Sequence, residues 1–114
     1  MARSRERIAL EACWFALTRE ALPAAAGERN WPVRFDHCFQ RILLDNACGG
    51  RWTDRIARPA YAHAPDTILR AAITLGEAVL ADEADLWDLD ARSLGWRGKP
   101  VKRMPRMPAD ARQG

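Results

Sequence analysis

Apolar residues recur along most of this chain at the three- and four-residue spacing of amphipathic helices, and no alternating run is long enough to predict a strand. From about Arg3 to Leu22, one stripe is formed by Ile8, Ala12 and Phe15, with Leu10, Cys13, Trp14, Leu17 and Ala21 beside it. This predicts a first helix with a wide core-facing side. Pro23, Gly27, Asn30 and Pro32 then predict a loop over residues 23–33, with Trp31 closing one end of the core. The second helix has the cleanest pattern, because Phe35, Cys38, Phe39, Ile42 and Leu43 fall at i, i+3, i+4, i+7 and i+8. Its opposite side carries His37, Gln40, Arg41 and Asp45, and Gly49-Gly50 ends it.

The segment RWTDRIARPAYAHAP is less regular. Thr53 or Asp54 caps one or two turns through Ile56, and Pro59 stops them. Trp52, Ile56 and Tyr61 tie this connection to the core. A third helix starts at Pro65 and continues an apolar face through Ile68, Leu69, Ala72, Ile73, Gly76, Val79 and Leu80. Gly76 within that face predicts close contact with a neighbouring helix. Asp85 to Leu94 predicts a shorter fourth helix with Leu86, Leu89 and Leu94 inward and Gly95 at its end.

Composition agrees with this reading. Of 114 residues 21 are Ala, 16 Arg and 11 Leu, whereas only 3 are Val, a mixture that favours helix over sheet. The expected fold is therefore all-α, a single compact bundle of about four helices over residues 1–96, followed by a disordered basic tail over residues 97–114. The length suits one domain rather than two.

Charge changes the picture more than net charge suggests. The net charge is +3, yet Glu77 to Asp90 holds six acids and no base, while Arg97 to Gly114 holds six bases and one acid. Either the tail pairs with the acidic stretch, or both are solvated, or the tail recruits an anionic partner. Self-assembly is a further expectation, with the acidic surface of one copy receiving the tail of another. No apolar run approaches the length that spans a bilayer. The basic and apolar N-terminus is read as an amphipathic helix rather than a secretory signal, because Glu11 interrupts it and Arg19 and Glu20 follow it. Three unclustered cysteines, Cys13, Cys38 and Cys48, fit a cytoplasmic protein without a disulfide framework. With only His37 and His63 beside them and no closely spaced ligand pair, no metal site is expected, and no cofactor either.

The candidate binding residues are arginines. Arg34, Arg41, Arg51, Arg55 and Arg58 lie near Trp52 and Tyr61, and guanidinium forks bind phosphate or carboxylate while stacking on rings. Pairing of these arginines with Asp36, Asp45 and Asp54 is the competing reading. Arg97, Lys99, Lys102, Arg103 and Arg106 would form a nucleic-acid arm in the tail. His37, Arg41 and Asp45 share one helix face and predict a surface polar ladder rather than a catalytic set. A helix-turn-helix is disfavoured, since Pro59 leaves too short a second helix to fill a major groove.

The stretch FDHCFQRILLDNACGGRWTDRI, with PAY after it and SLGWRGK near the end, resembles short bacterial proteins labelled GCN5-related N-acetyltransferases. The resemblance spans roughly residues 33–99 and implies acetyl-CoA as cofactor and acetyl transfer to an amine. That family holds the CoA pyrophosphate on a loop of the form Arg/Gln-x-x-Gly-x-Gly/Ala, and the nearest match here is Arg92 to Arg97, with Arg97 in place of the final small residue. The residues themselves point first to a non-catalytic binding or adaptor protein that engages nucleic acid or an acidic protein surface. An N-acetyltransferase, or an accessory piece of one, is the alternative.

Overall fold

The structure, a computed structural model, describes residues 3–102. Arg103 and Arg106 therefore lie outside the described residues. Every regular element among the described residues is helical, without a strand, and the four main rods match the expected all-α bundle. The first rod is α1 (Arg5–Phe15), a π-helical segment (Ala16–Ala21) and α2 (Leu22–Ala26) in sequence. Then come α3 (Asp36–Cys48), a 3₁₀ turn (Trp52–Asp54), the single-turn α4 (Ala60–His63), α5 (Asp66–Leu80) and α6 (Leu86–Trp96).

Two sequence expectations for the first rod need correction. The buried face is Leu10, Glu11, Trp14, Leu17, Thr18 and Leu22, while Ile8 is 50% exposed and Ala12, Cys13 and Ala21 face outward. The rod also continues past Pro23 to Ala26. The second difference traces to the π segment. The Leu22 amide donates to the Leu17 carbonyl five residues back, so the turn is widened just ahead of Pro23. A proline normally conflicts with the carbonyl four residues before it, and the wider turn moves that carbonyl aside. The first difference is one of side and not of period: Leu10, Trp14 and Leu17 keep the i, i+4, i+7 spacing of a helix, and this face, not that of Ile8 and Ala12, meets the core. Glu11 tolerates burial because Arg3 and Arg7 both pair with it.

Among the remaining elements the connection after α3 also departs from expectation: its 3₁₀ turn is Trp52–Asp54, so Thr53 and Asp54 lie inside it and do not cap it, and Pro59 precedes the helical turn α4 instead of stopping one. Phe39, Ile42 and Leu43 on α3 are fully enclosed, whereas Phe35 stands at the N-cap with 65% of its surface exposed. Gly49 ends α3 in the left-handed conformation at φ 72°, as a C-cap glycine does. On α5 the buried residues are Leu69, Ala72, Ile73, Gly76 and Val79. Gly76 is where three elements meet: a Cβ there would come within 2.5 Å of Leu17 Cδ2 and 3.0 Å of Leu43 Cδ1. Leu86, Leu89 and Leu94 point inward on α6 as expected, but the helix runs on through Gly95 to Trp96. Trp31 packs edge-on to Phe39 at 5.8 Å and closes that end of the core. Beside it Arg29 donates to the carbonyls of Val79 and Leu80 and caps the end of α5.

Residues 97–102 do not begin a free tail. Arg97 caps α6, the Lys99 amide donates to the Leu94 carbonyl at 2.9 Å, and Lys102 Nζ lies 3.2 Å from Asp90 Oδ2. The acidic stretch is also committed within the chain at several points: Asp82 pairs with Arg29, Asp88 with Arg92, and Asp90 with Arg41 and Lys102. No helix among the described residues is long and apolar enough to cross a membrane.

Candidate functional site

The second half of α3 and the inner face of α6 share a buried charge network. Asp45 is fully enclosed and accepts four hydrogen bonds: two from Arg97, at 2.7 and 2.9 Å, one from Ser93 Oγ at 2.7 Å and one from the Trp52 amide at 2.9 Å. Ser93 in turn accepts from Arg41 Nη1 at 2.7 Å, and Arg41 Nη2 lies 2.8 Å from Asp90. Asp90 is as enclosed as Asp45. Two buried carboxylates thus hold two guanidiniums, and the serine links the pairs. Such carboxylates are tolerable in a core only when their lone pairs are met, as they are here. The Asp45 hydrogen bonds raise the Arg97 pKa against the opposing effect of burial, so this group stays cationic.

In front of this network lies a cleft of about 540 Å³. Arg41 and Arg97 border it from the network side, and Trp52, Arg58 and Tyr61 come from the connection between α3 and α5. Phe15 and Arg19 approach from the first rod. The Arg19 guanidinium sits 3.9 Å above the Phe15 ring, which meets Tyr61 edge-on at 5.0 Å. On the other side Arg58 lies 5.6 Å from the Trp52 ring centroid. Arg19 and Arg58 form no ion pair among the described residues, and no carboxylate lines the cleft. Its charge is therefore positive, and its walls are aromatic.

The π segment positions one wall. Thr18 gives its hydroxyl proton to the Trp14 carbonyl at 2.9 Å, so its oxygen is left to accept from Gln40 Nε2 at 3.0 Å. This fixes the Gln40 amide and leaves its carbonyl oxygen without a partner among the described residues, at the edge of the cleft. π segments concentrate at functional sites, and this one carries Arg19. Arg7 braces the opposite corner by donating to the Tyr61 carbonyl at 2.7 Å and pairing with Asp66 and Glu11.

The predicted site residues divide into three groups. Arg41, Trp52, Arg58 and Arg97 converge on the cleft, with His37 at its rim. Arg51 pairs with Asp54 at 3.0 Å, Lys102 with Asp90, and Arg34, Arg55 and Lys99 are exposed elsewhere. The third group is the ladder of His37, Arg41 and Asp45, which is not a surface feature: His37 is exposed, but Asp45 is sealed beneath Arg97 and Arg41 turns to α6. Four-residue spacing sets these three on one face, and packing of α6 over that face buries its C-terminal half. Tyr61, named with Trp52 beside the candidate arginines, also lines the cleft, and the structure adds Phe15 and Arg19, which the sequence pattern does not single out as binding residues. The signal that could find these two is their i, i+4 spacing, which stacks a guanidinium on a ring.

A second hollow, of about 650 Å³, lies between the 29–31 loop and residues 82–87. It mixes Arg29 with Asp82, Glu83 and Asp85, and its polar groups are largely engaged: Arg29 with Asp82, and Asp85 with the Trp87 amide. Among the described residues no group of three or more His, Cys, Asp and Glu is placed to hold a metal ion. The stretch Arg92 to Arg97 lies in the second half of α6 and at its C-cap, where backbone amides are spent on helical hydrogen bonds. It forms no loop, so it does not supply the pyrophosphate cradle that the acetyltransferase resemblance implies. Comparison with protein families, curated proteins and solved structures found no match.

Proposed function

We propose that this is a non-catalytic binding protein that engages nucleic acid through the arginine-lined cleft. The observation that supports the reading is the combination of four guanidiniums with aromatic walls and no lining carboxylate. An acidic protein surface would satisfy the arginines alone. Stacking surfaces at Trp52 and Phe15–Tyr61 favour a partner that brings flat rings together with anions, which is the composition of an unpaired nucleic-acid strand. The basic residues beyond the cleft, including Arg34, Arg55 and Lys99, would extend the contact along the backbone. Three free cysteines, one of them exposed, suit a reducing compartment, and the cytoplasm is the proposed location.

Fluorescence anisotropy with labelled single-stranded RNA and DNA tests this. Binding is expected to weaken steeply with salt and to fall in Arg19→Ala and Arg58→Ala proteins. Equal binding by those variants and the parent would remove the cleft from the interaction, and no binding at low salt would end the nucleic-acid reading.

A further inference from the structure

We propose that the cleft is a built site for one phosphorylated nucleoside, supplied either as a free nucleotide or as a single unpaired unit of a strand. This deepens the nucleic-acid reading and rests on it for the choice of a base as the stacked ring. Three features of the cleft carry the proposal.

The first is size. About 540 Å³ is the scale of a small-molecule pocket rather than of a flat electrostatic surface. The second is a fixed anion subsite. Arg97 spends two of its five N–H donors on Asp45, and Arg41 spends two on Ser93 and Asp90. Each guanidinium is held rigid from behind with donors to spare at the cleft, so little side-chain entropy is lost when a phosphate arrives. The third is a pair of stacking positions. Trp52 with Arg58 and Phe15 with Arg19 put a cation over a ring on two sides of the same cleft. A base can lie against an aromatic face or a guanidinium plane, and the unpaired Arg19 and Arg58 add charge for its phosphate. Gln40 supplies an uncommitted acceptor in a lining otherwise rich in donors, suited to an amino group on the base edge.

The test is calorimetric titration with adenosine 5′-monophosphate, ribose 5-phosphate and adenosine, with the Trp52 indole followed by NMR. The monophosphate is expected to bind and shift the Trp52 signal, while the two fragments bind about tenfold or more weakly, because each lacks one of the two contacts. Arg58→Ala and Arg19→Ala, both at exposed positions, should each lower monophosphate affinity without loss of the folded NMR spectrum. A labelled single-stranded oligonucleotide forms the second arm. If both ligands bind and compete, the unit is taken from a strand. If the monophosphate binds and the oligonucleotide does not, the site stands with a free nucleotide as its ligand, and the strand-binding function falls. If the oligonucleotide binds but the monophosphate leaves Trp52 unmoved, the site proposal is overturned while strand binding survives. Ribose 5-phosphate matching the monophosphate would likewise overturn it.

Discussion

Arg97, at the C-cap of α6, closes two hydrogen bonds on the fully buried carboxylate of Asp45, three residues from the end of α3. The pair joins two helices and fixes the border of the cleft in one contact. It is also asymmetric, since the Arg97 side chain keeps 20% of its exposure and Asp45 keeps none. Arg97→Ala would strand an anion in the core, at a cost of about 3–5 kcal/mol. Asp45→Ala would leave a guanidinium that water still reaches, so its cost should be the smaller. In urea unfolding the double variant is expected to be clearly more stable than the sum of the two single losses. Strict additivity would mean that the pair does not form in solution.

How much of this is legible in the sequence varies with the kind of contact. Phe39, Ile42 and Leu43 can be read from spacing because one regular helix buries one face. Leu10, Trp14 and Leu17 cannot be chosen over Ile8, Ala12 and Phe15, since both sets have helical spacing and only the packing of α1 against α5 decides which one faces inward. The cleft is half visible. Arg41, Trp52 and Arg58 lie within one arginine-rich stretch, but Arg19 and Arg97 join them only through tertiary packing. The Asp45–Arg97 pair spans 52 residues of chain, and nothing local announces it.

Gly76 sets the spacing between the first rod, α3 and α5. Gly76→Ala gains helix propensity, about 1 kcal/mol, but drives a methyl into Leu17 Cδ2. Overpacking of this kind costs about 1–3 kcal/mol, so a net loss is expected. Because the clash is with a side chain, Leu17→Ala should relieve it. Thermal unfolding of Gly76→Ala, Leu17→Ala and the pair would show a favourable coupling between the two sites. Equal destabilisation by Gly76→Ala in both backgrounds would place the conflict on backbone instead.

Arg19 and Arg58 are exposed and lie over rings without an ion pair among the described residues. Alanine at either position is expected to change stability by no more than about 0.5–1 kcal/mol, the worth of an exposed cation–π contact. The same substitutions are expected to reduce ligand binding. A large drop in the unfolding midpoint for either would assign the arginine to the fold and not to the site.

The three thiols should separate by reactivity. Cys13 is exposed and Cys38 half-buried, whereas burial pushes the Cys48 thiol up, with Asp45 adding to the shift and Arg55 opposing it. Cys48 should therefore react last with a thiol reagent at neutral pH. Its neutral form is favoured in the folded chain, so its stabilising contribution is complete below the ordinary thiol range near about 8.5 and is lost as pH rises through the folded value. Stability should fall with alkaline pH more steeply in the parent than in Cys48→Val. Parallel slopes would show that Cys48 is not the group responsible.

The position at which the C-terminal segment is removed decides what a truncation measures. A chain ending at Trp96 lacks Arg97 and Lys102, which are partners of two enclosed carboxylates, Asp45 and Asp90. It should be destabilised by at least about 3 kcal/mol, and weaker nucleic-acid binding by such a chain would report damage to the cleft. A chain ending at Lys102 keeps both ion pairs and removes Arg103, Arg106 and Arg112. It is expected to unfold close to the full chain while the salt dependence of single-strand binding becomes shallower, by about 0.7 in log–log slope for each phosphate that the removed arginines neutralise. An unchanged slope would confine binding to the cleft and its neighbours, and a large fall in stability would instead make residues beyond Lys102 part of the fold.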